Sequence, residues 1–246
     1  DDGIDDGIDD GIDDGIDNRI AAIHALDLDE FGDWLAAQQP AAHDRFWLAA
    51  VPMREVTARV TGELDRAGLA WTSLSTGSAA LPVAASYSGM GVDRWLALQP
   101  AWERLRSAFC MVDCGTATTV DLVDASGVHR GGWILPGMDA ARLGLLKRAP
   151  GLRRPAPASI HPRIPARDTA EAIECGLLHQ QIGGIIETYA VATGLADFAR
   201  SPPLVLTGGG APALQSGLEA RGIPVRAEPD LVLHGLAMAV DGLSER

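Results

Sequence analysis

The amino-acid sequence predicts a mixed α/β fold, because strands and helices alternate along most of the chain. Apolar runs of strand length, such as residues 45–51 and 109–115, are interspersed with longer segments whose apolar residues recur at helical spacing. After Ala108 the pattern changes to strands separated by glycine-rich turns. These observations favour the α/β class, with a domain boundary near Ala108.

The segment before Ala108 is predicted to alternate helices with short strands. Leu28, Phe31, Trp34 and Leu35 share one face of a helix within residues 26–39. The elements expected after it are a strand at 45–51, a helix at 52–68, a strand at 70–74 and a helix at 91–108. Pro100 should kink or split this last helix, because proline lacks the N–H that a helix interior requires.

The segment after Ala108 is predicted to begin with a three-stranded meander. Its strands are residues 109–115, 116–125 and 128–137, and Ala125 to Gly127 form a hairpin turn. Further along we expect a helix at 138–147, a loop at 151–168, a long helix at 169–193, a strand entering a glycine loop at 203–210, a helix at 211–221, and a strand, loop and helix within 223–240.

The chain has 246 residues and 47% hydrophobic composition, enough for one large or two smaller folded domains. Its net charge is −13, but nine of the 33 acidic residues lie in positions 1–17, and the remaining 24 against 20 Lys and Arg leave −4. We therefore expect no nucleic-acid partner, since backbone neutralisation needs a basic face. We expect neither a membrane span nor a secretory signal. The three cysteines have no metal-ligand spacing, which favours reduced thiols in a cytoplasm.

Residues 1–17 contain four copies of DDGI followed by Asp17. Three interpretations compete: a phosphate-handling loop, a Ca²⁺-binding repeat and a solvated acidic tract. Ca²⁺ loops place ligands at alternate positions, whereas these Asp pairs recur every four residues, which disfavours the second. Glycine at every fourth position disfavours a helix by about 1 kcal/mol each. We predict that residues 1–17 form a separate acidic low-complexity segment.

The segment from Asp113 to Asp121, DCGTATTVD, is the most informative stretch for chemistry. An apolar strand delivers Asp113 into a tight Gly-Thr turn, where backbone N–H groups and hydroxyls can face phosphate oxygens while the carboxylate stays free for a cation. A polar hairpin turn without special function explains the same pattern equally well.

A second glycine segment, Thr207 to Pro212, joins a strand to a helix, where N–H groups can contact an anion or nucleotide. Such turns also occur for purely steric reasons.

Two further segments are weaker candidates. Residues 131–137, GGWILPG, are better explained on their own as a bulged strand and a turn. In GVDRW an acid and a base, Asp93 and Arg94, stand together at a helix start, where an Asp is more often a cap than a catalyst.

Six motifs in order resemble the type III pantothenate kinases: GVDRW, DCGTATTVD, GGWILPGM, DTAEAIECG, LTGGGA and PDLVLHGLA. The resemblance covers about residues 49–240. It implies the acetate and sugar kinase, Hsp70 and actin superfamily, with two ribonuclease-H-like domains and a cleft between them. The domains would be residues 18–108, with an incomplete match at the start, and residues 109–246.

The resemblance implies ATP-dependent phosphorylation of the primary hydroxyl of pantothenate, the first step of coenzyme A synthesis. Asp93 matches the general base that accepts the hydroxyl proton. Gly91, Arg94 and Thr169 match positions that hold pantothenate, and an Arg suits its carboxylate. Tyr87 is similar to a further pantothenate contact, although the segment between it and Asp93 is shorter than usual.

The resemblance also implies ATP, Mg²⁺ and a monovalent cation, K⁺ or NH₄⁺, with Asp113 helping to bind this cation. Phosphate contacts would come from both glycine segments, namely Gly115, Thr116, Thr118, Thr207, Gly208 and Gly209. The family's first phosphate loop, D-x-G-N-[TS], binds triphosphate and Mg²⁺, and a loose alignment puts Asp13, Gly15 and Asn18 there. Only this last turn of the repeat is expected to approach the nucleotide. A homodimer in the cytoplasm is implied, and the helix at 169–193 is the candidate subunit contact.

A non-catalytic homologue is the alternative. The repeat stands where the first phosphate loop is expected, and the family's apolar first strand is absent. Such a chain would keep the fold and act as a regulatory or transcription accessory protein. The intact Asp93 and Asp113 motifs favour the kinase.

Overall fold

The computed structural model describes residues 30–50, 54–152, 164–195 and 201–244. Helices and strands alternate along the described chain, which confirms the mixed α/β class. The helices are α1 (Phe31–Ala37), α2 (Arg54–Arg66), α3 (Val92–Leu105), α4 (Met138–Arg148), α5 (Thr169–Thr193), α6 (Ala211–Glu219) and α7 (Leu231–Ser244). The strands are β1 (Arg45–Ala49), β2 (Ala70–Leu74), β3 (Phe109–Cys114), β4 (Ala117–Val123), β5 (His129–Pro136), β6 (Leu204–Thr207) and β7 (Val225–Ala227).

The larger sheet contains five strands in the order β5-β4-β3-β6-β7. Strands β3, β4 and β5 form the predicted antiparallel meander, while β6 and β7 are added in parallel on the other side of β3. The turn between β4 and β5 is the predicted hairpin, with Gly127 at φ +82°. Asp124 stabilises it, because its Oδ1 accepts hydrogen bonds from the backbone N–H groups of Ser126 and Val128 at 2.9 and 3.0 Å.

Helices cover both faces of this sheet, so its central strands are almost fully buried. On one face Phe109, Met111 and Val205 pack in one core with α3 and α7. On the other face Cys110, Val112 and their neighbours pack against α5 and α6. Because side chains alternate along a strand, odd-numbered residues of β3 face α3 and even-numbered ones face α5.

Pro100 does not split α3, contrary to one of the two expected outcomes, and the helix runs unbroken from Val92 to Leu105. A proline at position 100 leaves the Leu96 carbonyl without its usual N–H donor. Gly235 of α7 packs directly against that carbonyl, where any larger residue would collide with it. The glycine therefore lets α7 cross α3 closely at the point where α3 lacks a hydrogen bond.

The smaller sheet pairs β1 and β2 in parallel. Phe31 and Leu35 of α1 pack with Leu64 of α2 and Leu69 to form a separate small core over it. Trp47 and Ala49 of β1 pack against the α3–α7 core. The smaller sheet is thereby fixed to the larger one through α7 and α3.

The predicted domain boundary near Ala108 falls between α3 and β3. Helix α3 precedes it but shares a core with Phe109 and Met111. The division into residues 18–108 and 109–246 stays a prediction. The acidic repeat at 1–17 lies outside the described residues. Among the described helices none is long and apolar enough to cross a membrane.

Candidate active site

The two glycine segments meet at the ends of β3 and β6. Asp113 and Thr207 are cross-strand neighbours in the parallel β3–β6 pair, so both segments leave the sheet at the same edge. The Gly210 N–H donates to the Cys114 carbonyl at 2.8 Å. Gly208, at φ +85°, packs against the Asp113 carboxylate and the Cys114 backbone, which leaves no room for a Cβ. The structure thus brings together two of the turns predicted to contact phosphate.

The third glycine segment reaches the same turn. The Gly137 N–H donates to the Thr116 carbonyl at 3.1 Å. A side chain at Gly137 would collide with the carbonyls of Gly115 and Thr116. The bulge predicted for residues 131–137 is present, since the β4–β5 register shifts between Asp121 and Val123, whereas the segment ends with Gly137 as the N-cap of α4 and not in a separate turn. The end of this segment therefore packs directly against the turn at 113–116.

Gly115 and Gly209 differ from these packed glycines. An added Cβ would meet nothing within 4 Å at Gly209, and at Gly115 nothing closer than 3.6 Å. Neither residue has a positive φ. Internal packing therefore does not require glycine at these two positions. Gly209 also immediately precedes Gly210, the N-cap of α6, and the first turn of that helix contains Pro212.

Helix α3 brings an acid to this edge of the sheet. Gly91 is its N-cap, and Asp93 lies in its first turn with Oδ1 accepting from the Arg94 backbone N–H at 2.8 Å. In the described part of the chain, Asp93 Oδ2 has no hydrogen-bond donor. Burial, followed by the charges of Asp93 and Asp121, raises the pKa of Asp113 to about 6. Asp93 and Asp113 are thus close enough to repel one another.

The Arg94 side chain is only 6% exposed and is bound within the chain. Its Nε–H donates to Asp121 Oδ2 at 2.9 Å and its Nη2–H to Asp121 Oδ1 at 2.6 Å. Its Nη1–H donates to the Tyr87 hydroxyl at 2.8 Å. The structure therefore groups Tyr87, Gly91, Asp93 and Arg94. Asp121 occupies the Nε–Nη2 edge of the guanidinium, and its outer Nη1–Nη2 edge carries the bond to Tyr87.

Asp121 also binds His129, whose Nε2 lies 2.8 Å from Asp121 Oδ1. The other ring nitrogen, Nδ1, lies 2.9 Å from the Ser86 hydroxyl. Gly132 pairs with Asp121 across the β4–β5 ladder, and a Cβ there would lie 2.8 Å from the Asp121 carboxylate. Because Gly132 has no side chain, the buried Asp121 carboxylate can pack directly against the backbone of β5.

Thr118 and Thr119 lie on opposite faces of β4. Thr119 is opposite Asp113 in the β3–β4 ladder, and Thr118 is opposite Cys114, which packs in the core against α5 and α6. Thr118, predicted to line phosphate, is 2% exposed on that other face. Thr119 is 9% exposed, and its hydroxyl has no hydrogen-bond partner within the described residues. Thr119 therefore joins Asp113 on the face that carries α3.

Thr169 is exposed at the first turn of α5, beside its N-cap Asp168. Helix α5 packs on the opposite face of the sheet from α3. Within one chain the structure therefore does not group Thr169 with Asp93 and Arg94. The remaining predicted positions, Asp13, Gly15 and Asn18, lie outside the described residues.

Sequence reasoning assigned no role to Ser86, Thr119, Asp121 or His129. Asp121 carried a recognisable signal, because a carboxylate within the apolar run TVDLV needs a buried partner. Ser86 and His129 had none, since their pairing depends on the fold of a loop 43 residues away. Throughout the described ranges, no three His, Cys, Asp or Glu side chains are grouped so that they could hold a metal ion.

Comparisons with known proteins show the family to which the chain is similar. The family model described as Type III pantothenate kinase matches residues 10–191. A Type III pantothenate kinase of Pseudomonas aeruginosa (strain LESB58) is 40% identical over 159 residues, covering 62% of this chain and 60% of that relative. One from Hahella chejuensis is 34% identical over 201 residues, covering 81% and 79%. The chain thus spans about 60% of the length of the P. aeruginosa relative.

A solved structure supports the fold independently. A Campylobacter jejuni protein assigned to the Baf family of transcriptional activators matches with a TM-score of 0.58 and 16% identity, covering 90% of each chain. At this identity the likeness concerns the fold alone. From the family match and the sequence relatives together, the chain belongs to the type III pantothenate kinase family.

Proposed function

We propose that this chain transfers the γ-phosphoryl group of ATP to the primary hydroxyl of pantothenate, forming 4′-phosphopantothenate, the first step of coenzyme A synthesis. The observation that carries the proposal is the convergence at one sheet edge of Asp93, Asp113 and the two glycine turns. Phosphoryl transfer depends mainly on positioning and charge stabilisation. An acid beside two glycine turns suits that chemistry.

The nucleotide would lie against the turns at 113–116 and 207–210. The open backbone at Gly115 and Gly209 supports close approach of phosphate oxygens. Thr116 is exposed, and Thr207 is the cross-strand neighbour of Asp113. Gly208 would act indirectly, by allowing the two turns to pack together. The proposed role of Thr118 would likewise be indirect, given its burial on the other face.

Pantothenate would lie beside the start of α3. Asp93 would accept the hydroxyl proton while the pantothenate oxygen forms its bond to the γ-phosphorus and the bond to the β-phosphate oxygen breaks. The outer edge of Arg94 would face the substrate carboxylate, with Tyr87 and Gly91 beside it. The free Oδ2 of Asp93 supports its role as base.

A monovalent cation, K⁺ or NH₄⁺, would bind at Asp113. The residues fit such an ion, because the half-buried carboxylate of Asp113, whose pKa is raised, lies opposite the unpartnered Thr119 hydroxyl. Bound there, the ion would offset negative charge between Asp93, Asp113 and the phosphates. Mg²⁺ would accompany the triphosphate, and the residues proposed for it, Asp13, Gly15 and Asn18, lie outside the described residues.

A homodimer in the cytoplasm completes the proposal. Thr169 is remote from the Asp93 group within one chain, so a contact with pantothenate would come from the α5 of a second copy. The exposed apolar side chains of Val191, near the end of α5, and Leu195, just after it, support a role in such a contact. The two domains proposed from the sequence would enclose ATP and pantothenate between them.

The test is a coupled assay of ADP release from ATP and Mg²⁺, with and without pantothenate and with K⁺ or choline as the cation. We expect ADP formation to require pantothenate and to increase with K⁺, and mass spectrometry to identify the phosphorylated product. ATP turnover that ignores pantothenate would refute the proposal. Absence of turnover by a folded chain would favour the non-catalytic homologue.

A further inference from the structure

Three buried side chains and two exposed ones beside the proposed pantothenate site form a closed ring. Ser86 contacts His129, His129 contacts Asp121, Asp121 binds Arg94, and Arg94 donates to Tyr87. Ser86 and Tyr87 are consecutive, so one peptide bond closes the ring. We call this set, Ser86, Tyr87, Arg94, Asp121 and His129, the arginine ring.

The hydrogen positions in the ring follow from its chemistry. The Asp121 carboxylate is an acceptor, so His129 Nε2 carries the hydrogen between them. In the neutral imidazole, Nδ1 is then the acceptor, and the Ser86 hydroxyl donates to it. Asp121 accepts three hydrogen bonds, two from Arg94 and one from His129. With His129 in this neutral form, the charges of Arg94 and Asp121 balance within the ring.

We infer that Asp121 and His129 are positioning residues that hold Arg94 and Tyr87 in the geometry that receives pantothenate. Two bonds to one carboxylate fix the plane of the guanidinium, and His129 fixes the carboxylate that receives them. His129 also anchors Ser86, and the Tyr87 and His129 ring centres are 6.3 Å apart. The loop residue Tyr87 is therefore held from both sides.

Energetics favour positioning over stabilisation as the reason for this ring. A buried ion pair such as Arg94–Asp121 gains little over well-packed apolar residues, because both charges lose their hydration. An apolar cluster at the same place would hold the sheet against α3 equally well. Only a polar ring fixes the directions in which the Arg94 guanidinium and the Tyr87 hydroxyl point beside Asp93.

The inference rests on the proposed function, and His129 offers its sharpest test. His129→Ala removes the contacts to Asp121 and Ser86, whereas His129→Gln keeps a donor for Asp121. We expect His129→Ala to raise the KM for pantothenate about tenfold, the factor corresponding to about 1.4 kcal/mol. The KM for ATP should stay within about twofold, and His129→Gln should recover most of the loss.

Asp124→Asn is the matched control. Asp124 is a buried carboxylate on the same β4–β5 hairpin, bound to Arg130 Nε at 2.5 Å, and it belongs to no part of the proposed site. Its replacement should lower thermal stability without changing the KM for pantothenate. If His129→Ala merely loosens the fold, it will behave like Asp124→Asn or raise the KM for ATP equally. Either result overturns the inference.

A second measurement separates this inference from the proposed kinase activity. In ¹⁵N NMR spectra, the Arg94 Nε–H should exchange slowly with solvent in the unaltered chain and in His129→Gln, and rapidly in His129→Ala. If the chain does not phosphorylate pantothenate but shows this pattern, the proposed function fails and the ring remains. If Arg94 is equally protected in all three proteins, His129 does not position it and the inference is wrong.

Discussion

The two described sheets differ in burial and in whether predicted site residues lie on their strands or at the strand ends. The five-stranded sheet is covered on both faces, and the adjoining ends of β3 and β6 enter glycine turns that hold Asp113 and Thr207. The two-stranded sheet is thinly covered, with four of the five β2 residues exposed. Its described strands carry none of the predicted site residues.

The larger sheet thus holds the proposed site residues, and the smaller sheet supports the helices that pack on it. A rigid, doubly covered sheet can hold turns precisely enough for phosphate, and α3 extends that rigidity to Asp93 through the core it shares with Phe109 and Met111. The smaller sheet contributes Trp47 and Ala49 to the same core, so its described part supports α3 and α7. Substitutions in the two regions should therefore change different observables.

The largest effect is expected from Asp93→Asn, which removes the proposed base with little change in shape. We expect kcat to fall by about 10²- to 10⁴-fold. The melting temperature should change little, since the Arg94 backbone N–H can donate to the new amide oxygen. Steady-state kinetics and calorimetry on the same samples check both parts. A variant with undiminished kcat would remove Asp93 from the mechanism.

Gly208→Ala and Gly209→Ala form a matched pair in one loop. At Gly208, with φ +85° and the Cys114 backbone 2.9 Å from an added Cβ, alanine should cost about 3 kcal/mol of unfolding free energy. At Gly209, where the space is open, alanine should leave stability within about 0.5 kcal/mol. It should instead raise the KM for ATP several-fold by blocking phosphate approach. Equal effects of the two substitutions on stability and on ATP would contradict this division.

Leu64→Ala tests the scaffold role of the smaller sheet. Leu64 is fully buried in the small core with Phe31, Leu35 and Leu69. Its truncation should cost about 2–3 kcal/mol of unfolding free energy. Below the melting temperature we expect kcat and both KM values to stay within about threefold. A selective loss of ATP affinity, measured by calorimetric titration, would mean that this region contributes to the site.

The smallest expected effect is the change in thermal stability that K⁺ causes at different pH values. The pKa of Asp113 is raised from 3.8 to about 6, so the stability contributed by its protonated form is present below about pH 4 and is lost as pH rises through 6. A cation bound to the ionised carboxylate should restore stability at pH 7.5 but much less at pH 5.

Differential scanning fluorimetry in KCl against choline chloride measures this effect. We expect a rise of about 2–4 °C at pH 7.5 for each kcal/mol of cation binding. Thr119→Val should reduce the rise by removing the hydroxyl opposite Asp113. An equal response to both salts at both pH values would argue against a cation at Asp113.

Much of the fold was predictable because local pattern and tertiary structure agree. The spacing of apolar residues predicted the helix at 169–193 with the bounds of α5, and the Ala125–Gly127 turn predicted the β4–β5 hairpin. The helix at 91–108 was also predicted, and of the two outcomes expected at Pro100 the split does not occur. The close packing of Gly235 against the Leu96 carbonyl was not predictable, because Gly235 lies 135 positions beyond Pro100 in the chain.

The candidate site was predictable only in part. Motif order identified Asp93, Asp113 and the glycine turns, since each lies within a short local segment. The Arg94–Asp121 and His129–Ser86 contacts were not predictable, because they join residues 27 and 43 positions apart through side-chain geometry. The choice between Thr118 and Thr119 needed the register of β3 and β4, which decides the face that each one occupies.

The most direct test of the central claim is a crystal structure of the chain with a non-hydrolysable ATP analogue and pantothenate. We predict the terminal phosphate against the backbone at Gly115 and Gly209, and the primary hydroxyl of pantothenate within about 3 Å of the Asp93 carboxylate. The pantothenate carboxylate should face the outer edge of Arg94. A nucleotide bound away from both glycine turns, or a pantothenate hydroxyl beyond hydrogen-bond reach of Asp93, would contradict the account.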